Sequence, residues 1–266
     1  MTLLWIIISA ALLVLWITGR LGSRVTGQQG DSIKPVNECA EPNSVLRIVC
    51  LNIQYGRGLD QRLDLPRTAS LLKDCDLVAL QEVSGNQSLG QPNQAAALGS
   101  LLNMEWIFAP TKTRWFKPYI GNGLLTNIAV SRWFWRPLIQ YRGRSFRNMI
   151  ICEIELFGKK VTVINTHLHT GMGREEQMKQ VFRELAKYRR AILLGDFNTK
   201  PQDALLQELI RISAAHDPFA NAFDTTTNTR VDWILLKGLV ATEVSIVEPG
   251  ASDHPALRAT LALQTT

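Results

Sequence analysis

The chain is poor in cysteine and histidine, with four of each among its 266 residues. The cysteines are Cys39, Cys50, Cys75 and Cys152, and no two of them form a Cys-x-x-Cys pair, which argues against a zinc site. The last three lie within or beside apolar runs and are predicted to be small core residues. Cys39 lies in a polar segment, where a disulfide would require an oxidising compartment.

Acidic residues are fewer than basic ones, at 23 against 29, which gives a net charge of +6. This charge fits a phosphate-bearing partner or an anionic membrane surface, and it favours neither. The sequence contains no internal repeat and no low-complexity segment. With 46% hydrophobic and 20% charged residues, the chain has a globular composition that can bury a sizeable core.

Residues Thr2 to Gly19 contain no charged side chain. Their number is near what a helix needs to cross a bilayer, and Trp5 and Trp16 lie near the two ends, as interfacial aromatic residues often do. We therefore predict a single-pass transmembrane signal-anchor at residues 1–20 and a membrane localisation, with the side undetermined. A linker is predicted at 21–44. A cleaved signal peptide is the alternative, although a basic n-region and a small-x-small cleavage site are missing.

Strand-like apolar runs alternate with helical patterns from Val45 onward. Strands are predicted at Leu46–Leu51, Leu77–Gln81, Trp106–Ala109, Gly123–Val130, Met149–Leu156, Lys160–Asn165, Val231–Leu236, Ala241–Val247 and Ala256–Leu263, and helices at Leu65–Lys73, Asn93–Leu102, Arg174–Arg190 and from Pro201. This alternation predicts one mixed α/β domain at 45–266, in which helices cover β-sheets.

The segment Ala191–Asn198 is the stretch around which the rest of the chain is interpreted. Its apolar half predicts a strand that is buried on both faces, and Gly195 allows a tight exit from the sheet. Asp196 and Asn198 point the same way in an extended chain, and together they suit the holding and deprotonation of a water molecule. Gly, Asp and Asn are also ordinary turn residues, so this segment alone leaves a simple turn as the alternative.

Other polar side chains repeat this arrangement beside apolar runs: Asn52, Glu82, Asn165, His167, Asp232, Asp253 and His254. Burying such groups without partners is costly, and a shared site for a cation and an anion would satisfy them together. Because the ligands other than histidine are oxygen donors, the sequence favours Mg²⁺, or Mn²⁺, over zinc. Taken singly, Asn52 and Asn165 could be turn formers, and Asp253 could cap a turn.

In their order along the chain, these motifs resemble those of the endonuclease/exonuclease/phosphatase superfamily, the group of deoxyribonuclease I, the neutral sphingomyelinases and the inositol polyphosphate phosphatases. The matching segments are Leu51–Gln54, Leu80–Val83, Gly121–Leu125, Asn165–Leu168, Gly195–Asn198, Arg230–Leu235 and Ser252–Pro255. Each segment is weak evidence alone, but the ordered set spans nearly everything after the linker. The resemblance implies a four-layer α-β-β-α sandwich (deoxyribonuclease I-like) with the site at one end.

The resemblance also implies a role for each residue. Glu82 is similar to the principal metal ligand, with Asn52 beside it and Asp253 joining the metal shell. Asp196 would align and deprotonate the attacking water, which Asn198 would steady. The phosphoryl oxygens would be bound by His254, whose imidazole is oriented and kept charged by Asp232.

His167 is similar to the second histidine of the deoxyribonuclease-like members, but here the chain departs from the pattern. The glutamate that partners this histidine in deoxyribonuclease I has no counterpart in Tyr119–Asn122, so we expect His167 to bind phosphate rather than act as an acid. The arginine that follows the metal-ligand motif in that enzyme is also absent. Arg147 is our candidate for contacting phosphate, with a solvated loop charge as the alternative. Asn122 and Asn165 complete the predicted substrate contacts.

The stretch from Thr111 to Arg147 bears on the substrate, because it interleaves basic and aromatic side chains. The basic ones are Lys112, Arg114, Lys117, Arg132, Arg136, Arg142, Arg144 and Arg147, and the aromatic ones are Trp115, Phe116, Tyr119, Trp133, Phe134, Trp135 and Tyr141. Such a mixture suits stacked bases with neutralised phosphates, and equally a loop that dips into lipid headgroups. On ordinary burial statistics, about half of these residues would belong to the core or its rim.

We therefore predict a membrane-anchored, Mg²⁺-dependent phosphodiesterase that acts on nucleic acid by in-line attack of water, as a monomer. The first alternative is the same chemistry on a phospholipid, as in the sphingomyelinases, or on an inositol phosphate. The second alternative is a catalytically inactive, membrane-tethered binding module. The complete set Glu82, Asp196, Asn198, Asp232 and His254 argues against that module.

Overall fold

A computed structural model describes residues 2–21, 29–30, 33, 45–85, 93–114, 117–141, 146–156, 158–222 and 229–263. Within these residues the helices are α1 (Thr2–Leu21), α2 (Leu65–Leu72), α3 (Gln94–Leu102), α4 (Arg174–Ala186) and α5 (Ala204–Ser213). The strands are β1 (Gln29–Gly30), β2 (Leu46–Asn52), β3 (Leu77–Gly85), β4 (Glu105–Arg114), β5 (Lys117–Thr126), β6 (Val130–Pro137), β7 (Asn148–Leu156), β8 (Lys159–His167), β9 (Ala191–Asp196), β10 (Asp232–Lys237), β11 (Leu239–Val247) and β12 (Ala256–Leu263). A short 3₁₀ helix spans Gln54–Gly56.

The strands form two mixed sheets. Sheet A has the order β1-β6-β7-β8-β9-β10, and sheet B has the order β11-β12-β2-β3-β5-β4. Each sheet contains one parallel pair, β8 with β9 in sheet A and β2 with β3 in sheet B. The other neighbours that the structure describes are antiparallel.

Apolar side chains fill three layers between the elements. The central core lies between the two sheets and includes Ile48, Leu124, Ile150 and Ile234. A second core packs α4 and α5 against the outer face of sheet A, and a third packs α2 and α3 against sheet B. The predicted four-layer α-β-β-α arrangement is therefore present, and it explains why all six residues of β9 are buried.

The N-terminal prediction needs a correction. A helix is present as α1, but in the part of the chain that the structure describes no helix is long and apolar enough to cross a membrane. Most of the linker predicted at 21–44 lies outside the described residues, as does Cys39. Gln29–Gly30 pairs with β6, and Ile33 forms a bridge with Val130. The boundaries that divide the chain at residues 20 and 44 stay a prediction.

The sequence merged two strands that the structure separates. The run predicted as Gly123–Val130 belongs to β5 in sheet B up to Thr126, and the chain then crosses to β6 in sheet A. The Thr126 hydroxyl fixes this crossing, because it accepts a hydrogen bond from the Ile128 amide and donates one to the Ile128 carbonyl. A side chain that forms a turn with its own backbone is a known strand terminator, but the apolar pattern concealed it.

The predicted core cysteines are confirmed, since Cys50, Cys75 and Cys152 are buried and carry free thiols. Helix α2 begins at a capping residue, because the Asp64 carboxylate accepts the backbone amide hydrogen of Arg67. Helix α4 ends at Ala186, earlier than the predicted Arg190.

Polar residues converge at one end of the sandwich. In sheet A, Asp196 at the end of β9 is paired in register with His167 of β8 and with Asp232 at the start of β10. In sheet B, Asn52 ends β2 beside β3, which continues past Glu82. The end of the sheets where the parallel strands finish therefore positions the candidate site.

Candidate active site

Asp196 is held by a turn that folds back on its own carboxylate. Gly195 has a φ of +149°, and a Cβ there would collide with the Thr166 carbonyl, so only glycine fits. Asn198 adopts a φ of 49°, and its backbone N–H donates to Asp196 Oδ1 at 2.8 Å. The strain at this turn is of the kind that proteins keep at functional positions.

The second oxygen of Asp196 connects the two sheets. Asn52 donates from Nδ2 to Asp196 Oδ2 at 3.1 Å, and His167 Nε2 lies 3.3 Å from the same oxygen. The side-chain Nδ2 of Asn198 lies 3.2 Å from His167 Nε2 and also donates to the Leu168 carbonyl at 3.0 Å. Burial and the charge of Arg147 lower the pKa of His167 well below its usual range, so this imidazole is neutral.

His254 and Asp232 form an ion pair across the sheets, with 2.7 Å between His254 Nδ1 and Asp232 Oδ2. Burial alone would lower the pKa of His254, but the hydrogen bond and charge of Asp232, with the charge of Asp196, raise that pKa to about 9. His254 is therefore an imidazolium at neutral pH. Asp232 Oδ1 is buried and has no hydrogen-bond partner among the described residues.

Asp196 is a carboxylate with the pKa of a general base. Burial and the negative charge of Asp232 raise its pKa to about 7, against the opposing charge of His254. One atom each of Asp196, Asp232 and His254 lie within 4.8 Å of one another, so this cluster can hold a metal ion. A carboxylate whose pKa lies near neutral pH can accept a proton during a reaction and release it afterwards.

Glu82 faces the site from a distorted backbone. The register of β3 against β5 shifts between Leu80 and Val83, and Glu82 has a φ of 54°. Burial raises the pKa of its carboxyl, while the charge of Arg147 and hydrogen bonding to Asn52 oppose this shift. This is the behaviour of an acid that lacks a full positive partner, as expected for a ligand to a cation.

Asp253 is positioned by the 3₁₀ helix that follows β2. Gln54 donates from Nε2 to Asp253 Oδ2 at 2.9 Å, and the Asn52 side chain accepts from the Gln54 amide at 3.1 Å. Ser252 closes the group by donating its hydroxyl to the Asn52 carbonyl at 2.5 Å. Asn52, Glu82 and Asp253 thus border the site with one amide and two carboxylates, and the oxygen atoms of such groups are the ligands that Mg²⁺ prefers.

The Arg147 guanidinium lies inside the site. Burial lowers its pKa, and the charges of Glu82 and Asp196 oppose that shift, so both carboxylates lie close to it. Its Nε is buried without a hydrogen-bond partner among the described residues. This burial argues against a solvated loop charge, and the contact of Arg147 with phosphate stays a prediction.

Two predicted substrate contacts lie deeper, between the sheets. The amide of Asn165 donates to the carbonyls of Leu80 and Gly123 at 3.1 and 2.7 Å, and its oxygen accepts from Gln81 at 2.7 Å. Asn122 donates to the carbonyl and the side-chain oxygen of Asn148 at 3.1 and 2.9 Å. The donors of both residues therefore join the sheets, and their binding of substrate stays a prediction.

Tyr55 is a site residue that the sequence reasoning missed. Its φ of 57° turns the side chain toward Glu82, and burial, the charge of Glu82 and a hydrogen bond with it raise the pKa of the phenol. Gly56, with a φ of +74°, was the available signal, because a glycine shortly after a strand marks a backbone that needs positive φ.

The basic and aromatic stretch divides into several environments. Trp135 is buried and stacks on Trp133, and Arg132 and Arg136 lie over the ring of Phe134 on the outer side of sheet A. The backbones of Lys112, Arg114 and Lys117 belong to β4 and β5, which meet at the end of the sheet near Glu82. Trp115, Phe116, Arg142 and Arg144 lie outside the described residues.

Solved structures share this architecture. The chain is similar to an endonuclease/exonuclease/phosphatase from Beutenbergia cavernae DSM 12333, at 20% identity and a TM-score of 0.71, over 83% of this chain and 72% of that one. It is similar to the human Nocturnin catalytic domain with bound sulfate anion, at 16% identity and a TM-score of 0.64, over 90% of this chain and 98% of that one. It is also similar to D. rerio TDP2 complexed with single strand DNA product, at 16% identity and a TM-score of 0.59, over 82% and 99%.

Among curated proteins, none matches the chain. The model of the Endonuclease/Exonuclease/phosphatase family matches residues 49–254, which includes every residue of the site described above. The chain therefore belongs to the endonuclease/exonuclease/phosphatase family.

Proposed function

We propose that the protein is a Mg²⁺-dependent phosphodiesterase that hydrolyses nucleic acid. The observation that carries the proposal is the pairing of a base and a cation: Asp196, with a pKa of about 7, lies beside His254, with a pKa of about 9. At neutral pH one group can take a proton from water while the other is positively charged. Hydrolysis of a phosphate ester needs both.

The residues divide the chemistry as follows. Asp196 accepts the proton of the attacking water, and the Asn198 amide, which contacts His167, orients that water. The imidazolium of His254 stabilises negative charge on the phosphoryl oxygens, with Asp232 holding the ring in place. The Arg147 guanidinium neutralises a further phosphate oxygen. Neutral His167 is suited to a hydrogen bond with phosphate rather than to proton donation.

We assign the cation to Asn52, Glu82 and Asp253. The ligand atoms of Asp196, Asp232 and His254 lie within 4.8 Å of one another, but His254 is paired with Asp232 and is positively charged at neutral pH, so it cannot bind a metal ion in that state. The other set consists of oxygen donors and includes an acid whose pKa is raised by burial. When bound there, Mg²⁺ would supply charge neutralisation to the phosphoryl and leaving oxygens.

Nucleic acid is the substrate class that we propose. The chain carries a net charge of +6, which fits a phosphate-bearing substrate. One similar structure, that of D. rerio TDP2, contains a single strand DNA product. The same catalytic groups could act on a phospholipid or an inositol phosphate, so these remain the competing substrates.

The test is a substrate panel in Mg²⁺ with wild type and Asp196→Ala. The panel contains plasmid DNA, single-stranded DNA, bis-p-nitrophenyl phosphate, sphingomyelin and inositol phosphates. We expect hydrolysis of DNA and of the synthetic diester by wild type, and its loss in the variant and in EDTA. Faster hydrolysis of sphingomyelin or inositol phosphates would show that nucleic acid is the wrong substrate class. Identical behaviour of wild type and Asp196→Ala on every substrate would leave only the catalytically inactive binding module.

A further inference from the structure

Two buried glutamines occupy matching places on the two halves of the molecule. Gln94 is the first residue of α3, which packs on sheet B, and Gln177 lies in the first turn of α4, which packs on sheet A. Their exposed fractions are 7% and 0%. Neither residue belongs to the motifs that carry the family resemblance, and neither contacts the groups to which the proposed mechanism assigns chemistry.

Each glutamine makes the same pair of hydrogen bonds. The Oε1 of Gln94 accepts from the Ser84 amide at 2.9 Å, two residues after Glu82, and its Nε2 donates to the Tyr55 carbonyl at 2.6 Å. These bonds tie the end of β3 to the 3₁₀ helix after β2. Within that helix, Gln54 supports Asp253 at 2.9 Å, so the bonds of Gln94 connect both sides of the proposed cation site.

The bonds of Gln177 have the same form on sheet A. Its Oε1 accepts from the His169 amide at 3.0 Å, two residues after His167, and its Nε2 donates to the Ile139 carbonyl at 3.0 Å. They tie the end of β8 to the loop that follows β6. In each half, the side-chain amide of a helical glutamine thus hydrogen-bonds both to the backbone two residues beyond a site residue and to a neighbouring loop.

The backbone around Gln94 needs such support. Glu82 and Tyr55 have φ values of 54° and 57°, a left-handed conformation that is strained for a residue other than glycine. Strain of this kind persists only where surrounding bonds over-determine the backbone. Gln94 bonds to Tyr55 directly and to the segment of Glu82 through Ser84, so one side chain ties the two strained segments together.

We propose that Gln94 and Gln177 are positioning residues with separate duties. Gln94 sets the placement of Glu82 and through it the affinity of the cation, while Gln177 sets the placement of His167 and leaves the cation unaffected. The proposal rests on the proposed function in taking Glu82 as a cation ligand and His167 as a phosphate contact.

Matched substitutions test this division, because each glutamine is the control for the other. Gln94→Met and Gln177→Met keep the side-chain volume and remove both hydrogen bonds. Mn²⁺ binding is measured by isothermal titration calorimetry without substrate, and the Cε1–H resonance of His167 is followed by NMR at constant pH, assigned with His167→Gln.

We expect Gln94→Met to weaken Mn²⁺ binding by about tenfold, the lower range for groups that orient metal ligands, and to leave the His167 resonance in place. Gln177→Met should bind Mn²⁺ as wild type does and shift the resonance.

Equal loss of Mn²⁺ affinity in both variants, or loss in neither, overturns the proposal. Circular dichroism and thermal unfolding identify a variant that fails to fold, and Gln94→Glu then replaces Gln94→Met, since it keeps an acceptor for Ser84 and loses the donor to Tyr55. A wild type that binds Mn²⁺ but hydrolyses no phosphate ester contradicts the proposed function alone. A wild type that binds no Mn²⁺ overturns both.

Discussion

The two sheets bring different environments to one site. Sheet A supplies side chains that are almost fully buried, with exposed fractions of 3% for His167, 2% for Asp196 and 1% for Asp232. On the side of sheet B, Glu82 and His254 are only partly buried. The pKa values of the two histidines reflect this difference in environment, because the pKa of His167 is lowered and that of His254 is raised to about 9.

The difference teaches that partners, not residue type, decide the charge of a site histidine. His167 meets burial and the positive charge of Arg147, and these disfavour its protonated form. His254 also loses water contacts, but a carboxylate at 2.7 Å outweighs that loss. The buried half therefore suits proton transfer at Asp196, and the open half suits the binding of charged groups.

The largest effect is expected from Asp196→Asn, which removes the base from the buried half. Loss of a general base should lower kcat by about 10³-fold. The same change should stabilise the metal-free fold at pH 8. A carboxyl whose pKa is raised to about 7 on folding lowers stability progressively as pH rises from its ordinary pKa of about 4 to about 7, and the full loss is present above that pH. We expect a Tm gain of roughly 2–8 °C at pH 8 in EDTA and almost none at pH 4.

Asp76→Asn is the matched control for that substitution. Asp76 is also a buried acid, but it pairs with Arg47 at 3.2 Å, at the end of β2 away from the site. Its replacement should lower the Tm and leave kcat unchanged. A lower Tm for Asp196→Asn at pH 8 would contradict the conclusion that burial in sheet A raises the pKa of Asp196.

The next effect concerns the open half, through His254→Gln. Removing a cation that stabilises developing charge should lower kcat by about 10²-fold. The wild-type rate should fall as pH rises through about 9, where His254 loses its proton, and this alkaline limb should be absent in the variant. The sign for stability agrees: a raised imidazole pKa stabilises the fold below about pH 6.5, and this contribution is lost as pH rises through about 9.

Asp232→Asn sharpens the same comparison by leaving the histidine in place. Without the carboxylate at 2.7 Å, burial should dominate and lower the pKa of His254. The alkaline limb should then move toward neutral pH, which a pH–rate profile measures. An unmoved limb would show that another group controls it.

His167→Gln should have a smaller effect, because the imidazole that it removes is neutral. The amide keeps a hydrogen-bonding group near Asp196 and Asn198, so we expect a fall in kcat/KM of about tenfold, the value of one hydrogen bond. The alkaline limb near pH 9 should stay where it is in wild type. A shifted limb would mean that His167 is charged and would remove the distinction between the halves.

The sequence predicted the convergence of the polar side chains where residue chemistry and position at a strand end coincide. Asp196, His167 and Asn52 end apolar strands, and parallel pairing of such strands brings their ends together, so order along the chain was enough. Tyr55 was missed because its role depends on a φ of 57°, which no hydrophobic pattern reports. The separation of β5 from β6 was missed for a similar reason, since one hydroxyl at Thr126 decides it.

The function of the buried amides was also beyond the sequence. Asn165 follows an apolar strand as Asn52 does, and the pattern gives no reason to treat them differently. Their distinction comes from the opposing sheet: Asn52 reaches Asp196, whereas Asn165 meets the carbonyls of Leu80 and Gly123. Contacts between the two sheets depend on how the sheets pack against each other, and the periodicity of a single strand does not predict that packing.

The smallest effect on catalysis is therefore expected from Asn165→Ala, which acts on the join between the halves. The change leaves the Leu80 and Gly123 carbonyls and the Gln81 amide without their partner, which should cost about 1–3 kcal/mol for each group left unpaired. Urea unfolding should show this loss, while KM and kcat at a temperature well below the Tm should change less than about threefold, within the range of an uninvolved position. A large rise in KM with normal stability would instead restore Asn165 as a substrate contact, and the two sheets would then share the binding of phosphate.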